Sequence, residues 1–423
     1  MTKQSSSSLR IIAIIAMMFL FAMISFVTNM AAPFGTIWKF QYDWAGMMGN
    51  MMNFAAYLFM GIPAGIMISK IGYKKTALVG LVLGLTGICI QYLSSQTGAE
   101  TAIFGGLMNL NYFIYLLGAF VCGFAVCVLN TVVNPMLNLL GGGGNRGNQY
   151  VQIGGSLNSL AGTLTPMLAG VLIGEVTKQT SMADVTPLLY IAMGVFSVSI
   201  VIIALTPLVE PKQESGNIFG LIRGALSFRH LLLGVLAIFF YVGIEVGIPG
   251  EMIFYLDSLH IPNATAIAGS IAAIYWLLML VGRFTSSIIS GKVSTRTQLV
   301  SVSALALVLL LLAIFLPESI TVHIYADVPL KCLFLVLCGL CTSVMWGGIF
   351  NLATEGLGKY TAAASGIFMT MVVGGGIMPL IQDAIGRSVG YVSSYWLVVA
   401  MIAYILWYAL VGSKNVNKDI PTE

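Results

Sequence analysis

Charge is what this 423-residue sequence has least of: Asp, Glu, Lys and Arg supply 8% of it, against 58% hydrophobic residues and a mean hydropathy of +0.95. A soluble domain carries about 25% charged residues to keep its surface wet, so a water-soluble globular chain is excluded. The 19 Lys and Arg against 15 Asp and Glu leave a net charge of +4. That is too sparse for a surface of phosphate contacts, which excludes a nucleic-acid binder. Cysteines, at 89, 122, 127, 332, 338 and 341, lie within apolar runs and show no CxxC pairing. They read as small packing residues, not as disulfides or metal ligands. GxSxG and HExxH are missing, and His230, His260 and His323 fall at span ends or in loops without a partner pattern. The glycine-rich GGGGNRGNQ at 141–149 lacks a Lys-Ser/Thr ending and a preceding strand, so it reads as a flexible turn, not a phosphate loop. No enzyme, metal or cofactor is expected from these patterns. The 23 methionines have no His or Cys at ligand spacing and read as adaptable packing.

What is present is length without charge. Apolar runs of about 20 residues match the hydrocarbon thickness, which favours helices over the short alternating segments of a barrel. Polar punctuation sets off twelve of them, near 10–36, 45–69, 76–95, 112–140, 150–174, 188–208, 230–256, 265–290, 299–316, 330–357, 361–386 and 395–412. The first carries no small-residue cleavage site and is expected to remain as an uncleaved span. The expected fold class is therefore all-α membrane protein, with two six-helix bundles over 1–208 and 230–423 joined by a linker at 209–229. With a cytoplasmic N-terminus, fifteen of the 19 Lys and Arg fall on the inner side, Arg283 counted among them, and Lys39, Lys178, Lys331 and Arg387 fall outside. The positive-inside rule supports that orientation, with both termini cytoplasmic in a bacterial-type inner membrane.

GIPAGIMISKIGYKKTALVG after span 2 and GRFTSSIISGKVSTRTQLV after span 8 are both small-residue helix ends running into a short basic turn. This paired turn in a two-times-six arrangement resembles the major facilitator superfamily. Ser69 and Lys70 stand where that loop commonly has an acid and a base. More specifically, NTVVNPMLNLLG from Asn130, NQYVQIGGSLNSLAGTLTP at 148–166, FYVGIEVG at 240–247, YWLLMLVGRF at 275–284 and the long block 349–379 ending in GGGIMP resemble the fucose/galactose/glucose symporter family. The resemblance implies a sugar permease working by alternating access as a monomer, with a proton or sodium as coupling ion.

Among the acids, Glu245 is deep in span 7 and Glu251 lies less than two turns further on. A carboxylate at that depth costs several kcal/mol unless paired, protonated or hydrated, which makes Glu245 the expected coupling residue. Pro249-Gly250 is expected to unwind the helix nearby. Asn130, Asn134 and Asn138 are four apart, about 400° on a helix, and make one amide stripe suited to sugar hydroxyls that both donate and accept. Asn134 alternatively repairs the donor lost at Pro135, and Asn138 is expected to be structural. Asn50, Asn53 and Tyr57 share a face of span 2. Gln152 adds a further amide in span 5, and Tyr275 with Trp276 lies mid-span 8.

By the resemblance, Asn29 and Asn130 occupy positions that are acidic in proton-coupled fucose members, Asn158 matches a sugar-contacting amide, and Trp346 aligns with a family tyrosine. Gly155 stands where members have Gln, which is expected to enlarge the cavity. An amide cannot exchange a proton near neutrality, so fucose-type proton coupling is not expected. The sequence reading is thus an importer of a neutral sugar (a hexose, an amino sugar or a small disaccharide), coupled to Na+ or H+ through Glu245. A facilitative uniporter, a drug or metabolite exporter and a non-transporting nutrient sensor stand as alternatives.

Overall fold

In hydrocarbon every backbone N–H and C=O must be satisfied within the chain, so uninterrupted apolar runs become helices. A computed structural model describes residues 3–42, 45, 48–98, 101–173, 177, 179–208, 218–259, 264–324, 326–417 and 419–421. Its helices are α1 (Lys3–Asn29), α2 (Ala31–Lys39), α3 (Met48–Gln96), α4 (Leu110–Gly141), α5 (Gly144–Ile173), α6 (Thr186–Leu205) and α7 (Ile218–Leu226). The second half adds α8 (Arg229–Ser258), α9 (Ala264–Ile289), α10 (Thr295–Phe315), α11 (Lys331–Thr354), α12 (Thr361–Thr370), α13 (Gly374–Val389) and α14 (Tyr391–Trp407). Two antiparallel hairpins, Ala102–Ile103 with Met108–Asn109 and Thr321–Ile324 with Ala326–Pro329, lie in inter-helix connections.

Among the described residues, ten segments are long and apolar enough to cross a membrane. One of them, α3, is 49 residues long and breaks at Gly72, whose φ of 88° and ψ of 170° only glycine adopts readily. Its two halves carry the expected spans 2 and 3. Helix α5, rich in amides and 30 residues long, carries the expected span 5. With both halves of α3 and with α5, all twelve expected spans are helical. The protein is an integral, multi-pass membrane protein.

Two local expectations are corrected. Helix α8 runs unbroken through Pro249 from Arg229 to Ser258, because a proline removes one bond and neighbouring helices can hold the kink. The glycine run is no flexible turn beyond Gly143: α5 begins at Gly144, and Gly142, Gly143 and Gly144 have φ of 89°, 73° and 54°. The break in this region of the C-terminal half falls instead in span 11, where a tight 3-10 turn, Met371–Val373, joins α12 to the Gly374–Gly376 run. There a Cβ on Gly374 would strike the backbone of Phe239 on α8, so the glycine permits the close approach. Of the linker, 209–217 lies outside the described residues, as do Asp43, Glu100, Glu175, Lys178, His260 and Lys418; the remainder forms α7. Cys89 is exposed and the other five cysteines are buried, all as free thiols.

By contacts the chain forms two compact units. The first comprises Met1–Leu137, Leu160–Ile218 and Ser365–Thr370; the second comprises Asn138–Ser159, Phe219–Ala364 and Met371–Glu423. In the first, small residues bring α3 against α4: a Cβ on Gly87 would crowd Cys122, and one on Gly123 would crowd Asn53 and Ala56. Trp38 meets Tyr112 at a tilt with ring centres 4.6 Å apart, and Tyr112 stacks on Tyr42 and Tyr115. In the second, α8 packs on α11, α13 and α14, and α11 packs on α9 and α10.

Candidate functional site

Glu245 lies midway along α8, and what faces it is Arg283 on α9. Arg283 Nη2 donates to Glu245 Oε1 at 3.0 Å, with the side chains 8% and 16% exposed. The rest of the guanidinium is spent on neighbours from three further elements or positions. Nη1 donates to Ser159 Oγ at 2.7 Å, to Gly155 O at 3.2 Å and to Asn158 Oδ1 at 3.4 Å, all on α5. Nε donates to Ser343 O on α11 at 3.3 Å, and Nη2 also reaches Tyr241 OH on α8 at 3.5 Å. Five N–H donors in a rigid fork thus tie α5, α8, α9 and α11 together.

This corrects the placing of Arg283 on the cytoplasmic side. Six residues separate it from Ile289, where α9 ends, which is about 9 Å of helix rise. The sequence signal was present in VGRF, since the arginine falls inside the span 265–290 itself. Counting it as a flanking charge hid a partner for Glu245. The expected extra room at Gly155 is likewise corrected: a Cβ there would lie 3.3 Å from Arg283 Cδ, so the missing side chain admits the arginine.

Other expected residues fall into two groups. In the second unit, Gln152 Nε2 donates to Val344 O on α11 at 3.1 Å, and the side chain is buried. Trp346 on α11 is half-buried and packs edge-on against Tyr241, 6.1 Å between ring centres. Tyr275 is fully buried, its hydroxyl 2.9 Å from Thr342 Oγ1, while Trp276 meets its ring edge-on. Asn138 donates to Asn351 Oδ1 at 3.0 Å, and Asn351 in turn donates to Gly144 O and Thr295 Oγ1.

In the first unit, Asn130 Nδ2 on α4 donates to Tyr57 OH on α3 at 2.8 Å. Asn134 Nδ2 donates back to Asn130 O at 2.9 Å, whereas the carbonyl that Pro135 leaves without its helical donor, Thr131 O, accepts from Ser365 Oγ at 3.2 Å, so Asn134 does not repair the proline defect. Asn53 is buried, and its Oδ1 has no hydrogen-bond partner among the described residues. Asn29 is half-buried and donates to Ser25 O at 2.8 Å and to Ser25 Oγ at 3.1 Å within its own helix. Each unit therefore holds amides close to aromatic rings, side chains of the types that exchange hydrogen bonds with hydroxyls and stack on a sugar's apolar face. Among the described residues no three His, Cys, Asp or Glu gather to hold a metal.

Comparison with known proteins adds family context. Residues 11–379 match the family model described as the Major Facilitator Superfamily. A glucose/galactose transporter of Brucella abortus is 29% identical over 385 residues, covering 89% of this chain and 87% of that protein. A putative glucose/galactose transporter of Helicobacter pylori is 28% identical over 434 residues, 98% of this chain and 99% of its own. The L-fucose-proton symporter of Escherichia coli K12 is 23% identical over 398 residues, 88% and 84% respectively. Among solved structures, a single-residue variant of the E. coli fucose:proton symporter superposes with a TM-score of 0.80 at 20% identity, covering 96% of this chain and all of that one. A proton:xylose symporter superposes at 0.71 and 11% identity, covering 96% of each chain. These relatives are transporters, not enzymes.

Proposed function

Because this chain belongs to the Major Facilitator Superfamily, we propose that it imports a neutral sugar, a hexose in the first instance, by alternating access coupled to a cation. The observation that carries the reading is the near full-length likeness to transporters named for glucose and galactose, 89% and 98% of this chain. The site chemistry agrees with it. Asn130 with Tyr57 supplies hydrogen bonds in one unit, and Trp346 beside Tyr241 supplies an aromatic face in the other. Gln152, Asn158, Asn29, Asn134, Asn53 and Tyr275 are the further residues assigned to substrate contact on this reading.

Glu245 takes part in coupling through Arg283. Neutralising the carboxylate leaves the guanidinium an uncompensated charge at depth, and its three bonds to α5 are then its main restraint. Fourteen of the other eighteen Lys and Arg still fall on the inner side of the expected topology, which supports cytoplasmic termini in a bacterial-type inner membrane. One observation favours a second reading, facilitative uniport: Arg283 already satisfies Glu245, which removes the need for an ion at that carboxylate.

Reconstituted protein, given a panel of labelled sugars with and without a sodium or pH gradient, decides between them. Accumulation of glucose or galactose above the external concentration under one gradient is expected. Equilibration without accumulation would establish uniport, and no uptake of any sugar would overturn the reading.

A further inference from the structure

The second acid of α8 stands in a different environment from the first. Glu251 is 3% exposed, and among the described residues it forms no ion pair. Helix α13 carries an ion pair, Arg387 with Asp383 at 2.7 Å, whose arginine is 66% exposed and acts on Glu251 only through its field, opposed by the Asp383 carboxylate. Glu251 Oε1 is 3.2 Å from Ser394 Oγ on α14. That hydroxyl carries one proton and has a closer acceptor, Tyr391 O at 2.7 Å, so it is no assured donor to the carboxylate.

Beside them sits Gln382 of α13, wholly buried. Its Nε2 approaches Ser394 Oγ at 3.5 Å, and its Oε1 has no hydrogen-bond partner among the described residues. Glycines on the two facing helices make room for these oxygens. A Cβ on Gly247, one turn before Glu251 on the same face of α8, would collide with Gln382 Oε1. A Cβ on Gly386, one turn after Gln382 on α13, would collide with Glu251 Oε1. Each helix gives up a side chain where the other delivers an oxygen.

A buried carboxylate and a buried amide oxygen, both acceptors and both short of donors, cost several kcal/mol unless something positive lies between them. One carboxylate balances one unit of positive charge, and the remaining oxygens are neutral, the donor set that suits a small monovalent cation in a membrane helix bundle. We propose that Glu251, Gln382 and Ser394 form a sodium site, separate from the Glu245–Arg283 pair. Its use in transport rests on the symport reading above, whereas occupancy by sodium does not require any sugar.

The site lies near one end of three helices. Glu251 is seven residues from Ser258, Gln382 seven from Val389, and Ser394 three from Tyr391, so the depth is one to two turns, about 5–10 Å. In the expected topology that end faces outward, where an entering ion would arrive.

The test is sodium binding to the purified full-length chain in detergent, without sugar, at constant ionic strength with N-methylglucamine as the replacement cation. Saturable binding of 22Na+ and a sodium-dependent rise in Tm are expected. Glu251→Gln should abolish both, and Gln382→Leu should weaken binding by about tenfold, equivalent to about 1.4 kcal/mol. Glu245→Gln should retain binding. Equal binding by wild type and Glu251→Gln, or none by wild type, overturns the proposal. A Tm that responds to pH but not to sodium, and loses that response in Glu251→Gln, makes this a proton site and also overturns it. If Glu251→Gln does not elute as folded protein, Gln382→Leu and Gly247→Ala decide, and unchanged affinity in both overturns the site. Failure here leaves sugar uptake intact, so it is distinguishable from failure of the sugar reading.

Discussion

Arg283 of α9 and Glu245 of α8 meet at 3.0 Å within the second unit, and the arginine spends its other donors on α5 and α11. A buried pair of this kind contributes little net stability, because desolvating two charges offsets most of their attraction. Its value is that neither member tolerates losing the other.

Glu245→Gln is therefore expected to abolish sugar accumulation above equilibrium and to lower Tm, since an unpaired buried charge costs about 3–5 kcal/mol. Arg283→Gln is expected to do the same. The double variant, with both charges gone, should regain much of the lost Tm without regaining accumulation. Thermal unfolding of the three proteins together with gradient-driven uptake checks this. A double variant no more stable than the singles would show that the two residues act independently.

The first unit carries its own test. Tyr57 OH receives the Asn130 amide at 2.8 Å, so Tyr57→Phe removes an acceptor without changing ring packing. Losing this intramolecular hydrogen bond is worth about 0.5–1.5 kcal/mol of stability, so a small fall in Tm is expected together with a severalfold rise in the KM for sugar. Asn130→Ala should raise KM further, because the amide itself is lost. Initial-rate uptake across sugar concentrations separates this from a fall in maximal rate.

How much of this was open to sequence reading depended on scale. The twelve spans were legible because hydropathy over about 20 residues is a strong signal, and even the amide-rich α5 keeps an apolar run between polar turns. Pairings were not legible. Arg283 sits inside a span that sequence alone had bounded at 265–290, but an arginine near a helix end can also snorkel, and no local pattern distinguishes the two. Pro249 looked like a break and is not, whereas the break at Met371–Val373 precedes glycines that spacing alone did not mark as a helix contact. The Gln382–Glu251 juxtaposition links residues 131 positions apart on different helices, which no periodicity reports.

Gly374 brings α13 close against α8, its missing side chain facing the Phe239 backbone. Backbone cannot move aside as a flexible side chain can. Gly374→Ala is expected to cost about 1–3 kcal/mol by overpacking. A Tm within error of wild type would mean that the two helices separate freely at this point.

Gly155 makes the sharpest use of a missing side chain. Its carbonyl accepts from Arg283 Nη1 at 3.2 Å, while its Cα leaves the gap through which the arginine passes, with a hypothetical Cβ 3.3 Å from Cδ. Gly155→Ala asks Arg283 to yield by a few tenths of an ångström and should retain partial uptake. Gly155→Gln asks for the volume that the guanidinium fills, and should displace it from Ser159 and Glu245 with loss of accumulation and of Tm. If displacement is the cause, Gly155→Gln combined with Arg283→Ala should be no less stable than Arg283→Ala alone, because the added side chain then enters vacated space. A double variant markedly less stable than Arg283→Ala would place the clash elsewhere and end the claim that Gly155 is glycine for the arginine's sake.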